Sequence, residues 1–179
     1  RHQRSAGKLP AQAPRQRLKR TRLATRRDPM SSSKSRKATT QRALLSVSDK
    51  NGLVEFAAAL AEALTGNTVL TSVGLYNNRI GDLGAAALGA VLKGNAVLAW
   101  LDLGSNEIGD VGATALAGAL LENSSLTMLE LSNNHIGVEG AAALAHVLTM
   151  DSALEVLDLN NNQIEAEGAV LLADALNEN

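Results

Sequence analysis

The chain of 179 residues contains no cysteine. This absence excludes disulfides, thiol chemistry and cysteine-ligated zinc, and it fits a reducing compartment. We therefore expect a cytoplasmic protein; the nucleus or an organelle are alternatives if the basic N-terminal stretch acts as a targeting signal. Aromatic residues are also rare, at 2% of the chain against 45% hydrophobic residues overall. A core of small aliphatic side chains favours many similar thin layers over one bulky centre.

Features that would mark a membrane protein or an enzyme are also missing. No run of about 18 uncharged apolar residues occurs, and no secretory signal opens the chain, so the sequence predicts no membrane association. The three histidines, His2, His135 and His146, are scattered, and there is no GK[ST] phosphate loop and no nucleophile–base spacing. We predict a non-enzymatic protein without a metal or a cofactor.

Positive charge is concentrated at one end of the chain. Residues 1–42 hold 14 of the 17 Lys and Arg residues and a single acid, Asp28, which gives a charge of +13. Residues 43–179 carry −14. We predict that residues 1–42 form a disordered basic arm for nuclear import or organelle targeting. The alternative is that the stretch before Met30 is not native. Nucleic-acid binding is not expected, because no aromatic residues are interleaved with the Lys and Arg residues of this arm.

The rest of the chain is dominated by a repeat with a period of 28 residues. Its template, LxxLxLxxNxIGxxGAxALAxALxxN, recurs without insertions. The alternating LxLxx segment predicts a short strand, the Asn predicts a turn whose backbone groups the amide satisfies, and the Leu spacing predicts a helix that faces the sheet. We predict four repeats over residues 70–179, and their starts are Leu70, Leu98, Leu126 and Leu154.

Stacked strand–helix units predict an α/β solenoid with parallel strands on the concave face and helices on the convex face. The motif NxIGxxGAxALAxALxxN resembles the ribonuclease-inhibitor-like class of leucine-rich repeats, and most of all the arrays of NOD-like receptors. The Ran GTPase-activating protein is a more distant likeness. The resemblance implies a protein-binding scaffold, with a GTPase-activator-like regulator as the alternative.

Residues 43–69 continue the repeat in a degenerate form. A step of 28 residues back from Val73 reaches Leu45, and a step back from Leu75 reaches Val47. We therefore predict a degenerate N-terminal capping repeat, since terminal layers are often atypical. At the other end the repeats stop without a polar cap. This predicts a longer natural array or self-association through the last repeat.

The stretch RALLSVSDKNGLVEFAAAL also resembles the N-terminus of the bifunctional purine-synthesis enzyme with IMP cyclohydrolase and formyltransferase activities. The resemblance covers residues 42–61 and implies Ser48 and Lys50 as phosphate contacts. The STGG turn and the KTLHP-like segment expected after it are missing. An inactive chimeric fragment of that enzyme is therefore the alternative to a repeat scaffold, because one loop cannot position a substrate alone.

Strand alternation places three columns of side chains on the concave face. One column carries three consecutive acids, and beside it lie the only Trp, the only Tyr and a Met. We expect no cation in the flanking columns. We predict an acidic groove with an aromatic edge that binds a basic segment of a protein partner. The basic arm could be that segment, and the alternative is that the acids only keep the sheet solvated. The predicted contacts are Tyr76, Trp100, Asp102, Met128, Glu130 and Asp158.

Overall fold

The computed structural model describes residues 41–45, 53–150 and 152–178. Five strands alternate with five helices along the chain. The elements are β1 (Gln41–Leu44), α1 (Leu53–Leu64), β2 (Leu70–Gly74), α2 (Gly81–Leu92), β3 (Trp100–Asp102), α3 (Asp110–Leu120), β4 (Met128–Glu130), α4 (Val138–Thr149), β5 (Val156–Asp158) and α5 (Glu165–Glu178).

The strands form one parallel sheet in the order β1-β2-β3-β4-β5. From β2 to β5 each residue pairs with the residue one repeat later in the next strand. Leu101 lies opposite Leu129, and Leu129 lies opposite Leu157. Each strand with its following helix makes one layer, and each helix packs on the helices of neighbouring layers. The predicted α/β solenoid is therefore confirmed. We number the layers one (41–69), two (70–97), three (98–125), four (126–153) and five (154–178).

The core lies between the sheet and the helices. The inward strand residues of layers two to four are almost fully buried, and so are the helix leucines that face them, since repeat alternation aims these side chains at one another. These helix leucines are Leu88, Leu92, Leu116, Leu120 and Leu144. Helices approach closely where the template has Gly: a Cβ on Gly112 would lie 3.0 Å from the Ala85 Cβ and 2.7 Å from an Asp82 oxygen. Small residues thus permit the tight stacking of layers.

A ladder of asparagine amides joins successive turns. Asn106 is fully buried; its Oδ1 accepts from the backbone N–H of Asn78 at 2.9 Å and of Ile80 at 3.3 Å. Its Nδ2 donates to the carbonyl oxygens of Leu75 at 2.9 Å and Gly104 at 3.0 Å. One side chain therefore satisfies backbone groups of two layers, as the template predicted.

A second ladder follows the helices, and the sequence analysis did not assign it. Asn123 is buried, and its Oδ1 accepts from the backbone N–H groups of Ser125 and Leu126. Its Nδ2 donates to the carbonyl oxygens of Leu92 at 2.6 Å and Asn95 at 2.8 Å. The recurring Asn at the end of the template was the available signal.

Carboxylates also join adjacent layers at the helix N-termini. Asp82 Oδ1 accepts from the backbone N–H of Gly109 at 2.7 Å and of Gly112 at 3.0 Å in the next layer. Asp110 repeats this arrangement one layer on. A carboxylate is favourable there because the unpaired N–H groups and the helix dipole present positive potential. Layer four has Val138 at the equivalent position.

Layer one departs from the predicted register. Ala43 pairs with Val73, and Leu44 pairs with Gly74, so Leu45 follows at the Leu75 position and not at the Val73 position. The strand therefore lies two residues earlier than the repeat frame predicts. Strand β1 also begins at Gln41, inside the predicted arm. The helix frame is correct, because α1 and α2 are offset by one full repeat.

The other predictions for the N-terminal end concern residues that lie largely outside the described ranges. The arm up to residue 40 lies outside them, as do Val47 and the proposed phosphate contacts Ser48 and Lys50. At the other end, layer five leaves apolar residues open: Leu176 is 63% exposed and Val170 is 58% exposed. No described helix combines the length and the apolar character that a bilayer crossing requires.

Candidate functional site: the concave face

The sheet register brings the predicted acids together. Asp102, Glu130 and Asp158 occupy equivalent positions on β3, β4 and β5 and pair successively. All three side chains are half-buried. We call this set the acidic column. Neighbouring strands lie about 4.8 Å apart, so the three carboxyl groups form a continuous negative stripe. Their binding role stays a prediction.

Trp100 lies beside the acidic column and is tied to it. The indole Nε1 donates a hydrogen bond of 2.9 Å to Glu130 Oε1. The ring lies over Gly74 of the preceding strand, where a Cβ would be 3.5 Å from the Trp100 Cη2 and 2.6 Å from a Leu44 side-chain carbon. Glycine at this position thus leaves room for the Leu44 side chain, and the Trp100 ring packs over it at van der Waals distance. The half-buried indole is therefore held by its hydrogen bond to Glu130 on one side and by packing on β2 on the other.

Arg42 corrects the expectation that no cation flanks the acids. Its guanidinium carbon lies 4.9 Å from the centroid of the Trp100 ring. Arg42 pairs with Ser72, and Ser72 pairs with Trp100, so all three share one concave row. The predicted register missed this contact because it moved β1 by two residues and assigned Arg42 to the arm. The resulting chain of contacts runs from Arg42 through Trp100 to Glu130.

Burial and like charge act together on Asp102. The pKa of Asp102 is raised, chiefly by burial, with further contributions from the charges of Glu130 and Asp158. The backbone N–H of Gly104 donates to Asp102 Oδ1 at 2.9 Å and opposes this rise. A cation bound at the column would favour the ionised form, so proton release and cation binding are coupled here.

The other predicted residues frame the column. Met128 is half-buried and pairs with Trp100 on one side and with Val156 on the other. Val156 is 43% exposed, so this row ends in an accessible apolar side chain. Tyr76 is 53% exposed and its ring lies over Gly104, at the far end of the strands. From Trp100 to Val156 this row is thus apolar, and the row beside it is acidic.

Polar groups outside this face form small local pairs. Arg79 and Glu107 are joined at 3.1 Å, and Gln163 Nε2 lies 3.3 Å from His135 Nδ1, both between adjacent turns. Among the described residues, no group of three or more His, Cys, Asp or Glu side chains could hold a metal ion.

One surface cavity of about 320 Å³ lies away from the concave face. It is lined by the C-terminal end of α3 and by the segment that follows α4, including Leu121, Met150 and Ala153. Its one described acid, Glu122, is already paired with Lys93 at 2.6 Å. The cavity therefore has a mixed polar and apolar lining, and its described residues include no unpaired charged side chain.

Comparison with known proteins agrees with this architecture. The solved structure of leiomodin-1 actin-binding site 2 shares the fold, with 23% identity and a TM-score of 0.61 over 75% of this chain and 76% of that one. The solved structure of the tropomodulin C-terminal domain of Caenorhabditis elegans also shares it, with 17% identity and a TM-score of 0.64 over 79% of this chain and 84% of that one. The search of curated proteins found no significant match. The Leucine Rich repeat family model matches residues 66–89, 95–117, 122–145 and 152–173, more than half of the sequence. The chain belongs to the leucine-rich repeat family.

Proposed function

We propose that the chain is a non-enzymatic cytoplasmic scaffold that binds a basic segment of a protein partner on its concave face. The observation that carries this proposal is the acidic column with Trp100 hydrogen-bonded to its centre. We further propose that the array is of the ribonuclease-inhibitor-like, NOD-like-receptor type, since each layer pairs one short strand with a full helix.

Electrostatics supports a cationic ligand. Two unit charges about 5 Å apart repel by about 0.8 kcal/mol even at the dielectric constant of water. Asp102 and Asp158 each stand in this relation to Glu130, and burial adds to the cost at Asp102. A bound Lys or Arg side chain would relieve this repulsion. The fold retains a costly charge arrangement on an accessible face, which favours a binding role.

The apolar row beside the acids supports a protein as the ligand. Trp100 and Met128 are half-buried on the open sheet, and Val156 is exposed. Aromatic side chains in the middle of a contact surface, with charged groups around them, are typical of interface hot spots. A partner that covered this row would exclude water from the neighbouring carboxylates and strengthen their attraction for its cations.

Affinity capture with matched variants tests the proposal. The full chain is compared with a concave variant, Asp102→Asn/Glu130→Gln/Asp158→Asn, and with a helix-side control, Glu139→Gln/Glu167→Gln/Asp174→Asn. Both variants lose three negative charges, and the control residues are exposed on α4 and α5. We expect a partner kept by the control, lost by the concave variant and weakened by salt. Equal retention by both variants would refute the proposal. A captured small GTPase would favour the Ran-type alternative.

Actin is the first defined protein to try, because the leiomodin-1 neighbour is an actin-binding site. Co-sedimentation of the full chain with actin filaments, with the same two variants, would decide it. Binding that the helix-side control retains and the concave variant loses would identify actin as the partner. Binding that both variants retain would place actin on another surface.

We also propose that the open face of layer five associates with a second copy of the chain. Its support is the exposure of Leu176 on α5, whose equivalent in layer three, Leu120, is buried. Sedimentation of the full chain and of Leu176→Lys tests this idea. We expect a dimer that the substitution dissociates. A full chain that is monomeric at all concentrations would contradict it.

A further inference from the structure

We propose that the segment 31–42 is anchored by Gln41 and Arg42 in β1 and that its residues 31–40 fold back across the concave face, so that the chain's own cations occupy the acidic column until a partner displaces them. This inference rests on the proposed function, because it assigns a competing occupant to the same face. The segment is SSSKSRKATTQR, which contains Lys34, Arg36, Lys37 and Arg42 and no acid.

The last of these cations is already on the face. The Arg42 guanidinium stacks on the Trp100 ring, with 4.9 Å between its carbon and the ring centroid, and the Trp100 indole donates to Glu130. Ser72 stands between Arg42 and Trp100 in the same row and is only 6% exposed. A small residue at that position lets the two large side chains meet above it. The contact spans layers one to three and so bridges the sheet.

The remaining cations can reach the acids from this anchor. Strands β3, β4 and β5 lie about 10, 14 and 19 Å from β1 at the usual strand spacing. An extended chain covers about 3.3 Å per residue, so from Gln41, the first residue held in β1, Lys37 can lie up to about 13 Å away, Arg36 up to about 17 Å and Lys34 up to about 23 Å. Lys37 and Arg36 therefore reach Asp102 and Glu130, and Lys34 reaches the last strand of the sheet.

Charge complementarity supports this arrangement. Three cations, Lys34, Arg36 and Lys37, meet the three carboxylates of the acidic column. At physiological ionic strength the screening length is about 8 Å, so the attraction acts only at close range. A tether of a few residues supplies that closeness, because it holds the cations at an effective concentration of about millimolar. An external basic ligand must exceed this internal competition in order to bind.

Trp100 is the only tryptophan, which makes it a direct reporter. Quenching of its fluorescence by iodide and by caesium ions reads the local potential. In the full chain at low salt we expect iodide to quench Trp100 fluorescence more efficiently than caesium does. In Lys34→Gln/Arg36→Gln/Lys37→Gln we expect caesium quenching to rise by about twofold and iodide quenching to fall, since the bare column attracts cations.

A matched control separates local contact from overall charge. Lys8→Gln/Arg15→Gln/Arg17→Gln removes the same charge from the part of the chain before Met30. We expect its quenching to equal that of the unaltered chain. No change in the first variant, or an equal change in both, would overturn the assignment to residues 31–42.

Zero-length carbodiimide cross-linking, mapped by mass spectrometry, gives an independent readout. We expect intramolecular bonds from Lys34 or Lys37 to Asp102, Glu130 or Asp158. The Lys93–Glu122 pair, at 2.6 Å, serves as the positive control. Cross-linking of that pair without any bond to the acidic column would overturn the inference.

The two proposals fail in different experiments. Absence of the cross-links and of the quenching change removes the internal occupant and leaves partner capture unaffected. Cross-links without any captured partner mean that the face serves the chain's own segment, and the proposed function then fails alone.

Discussion

Layer three and layer five are built from the same template, but equivalent residues behave differently in them. Leu120 is 2% exposed, whereas Leu176, two repeats later, is 63% exposed. Asn106 is fully buried, whereas Asn162 is half-buried. The difference arises because layer three is covered on both sides and layer five on one. Identical side chains therefore contribute according to their neighbours, and the stability of this fold resides in the interfaces between layers.

The largest effect should come from the asparagine ladder. Asn106→Ala removes the four hydrogen bonds that this fully buried amide makes to backbone groups of two layers, so we expect a loss of about 3–4 kcal/mol in the free energy of unfolding. Asn162→Ala should cost about 1 kcal/mol, because the Asn162 side chain is itself only half-buried and water can take its place. Urea denaturation followed by far-UV circular dichroism measures both. Equal losses would break the comparison of the two layers.

Leucine truncation tests the same contrast in the core. We expect Leu120→Ala to cost about 2–4 kcal/mol, since it opens a cavity between covered layers. Leu176→Ala should cost less than about 0.5 kcal/mol, because its side chain is mostly in water. Trp100 fluorescence reports on layer three and circular dichroism reports on all the helices. Coincident transitions by the two probes would show that layer five unfolds with the interior despite its exposure.

The charge of Asp102, in interior layer three, should measurably lower the free energy of unfolding. Because the pKa of Asp102 is raised in the folded chain, its ionisation lowers stability as pH rises above the ordinary value of 3.8. Asp102→Asn should therefore stabilise the fold by about 0.5–1 kcal/mol at neutral pH. Below pH 3.8 the gain should disappear, because the carboxyl is protonated in both states. Urea denaturation across this pH range measures it.

The control for this prediction is Glu139→Gln, which removes one exposed acid from α4. Exposed charges contribute little to stability, so we expect no change. A destabilising Asp102→Asn at neutral pH would show that the hydrogen bond from Gly104 outweighs burial and repulsion.

A small gain in stability should follow from giving layer four the carboxylate that layers two and three possess. Val138→Asp places an acid where Asp82 and Asp110 bind the next helix N-terminus. We expect a gain of about 0.5–1 kcal/mol and slower hydrogen exchange in α5. Val138→Asn is the matched uncharged control. A gain of the same size in the control would attribute the effect to hydrogen bonding without charge.

The repeat period was sufficient to predict most of the fold. It located the strands and helices of layers two to five, the inward leucines and the turn asparagines, because each has one position in a template that recurs without insertions. It also located the acidic column, since strand alternation assigns one face to every second residue. The Asp82 and Asp110 contacts were missed, although an acid at the same position in two repeats was visible in the sequence.

Layer one shows where the period was insufficient. The frame carried back from layer two put Leu45 two residues from its place. The true register sets Ala43 against Val73 and brings Arg42 onto the concave face. Among the described residues, layer one pairs only with layer two, so a degenerate strand sequence there has one neighbour to constrain its register.

The sequence by itself determined the repeat architecture, because each repeat is one unit whose periodic apolar residues have a single way to be buried. Only the tertiary structure decided how exposed each copy is and which side chains meet across layers. The contact from Arg42 through Trp100 to Glu130 spans residues 42 to 130, and it depends on the register of β1 and on the parallel pairing of β2, β3 and β4. Contacts between distant residues of this kind depend on how strands pair, which no local pattern encodes.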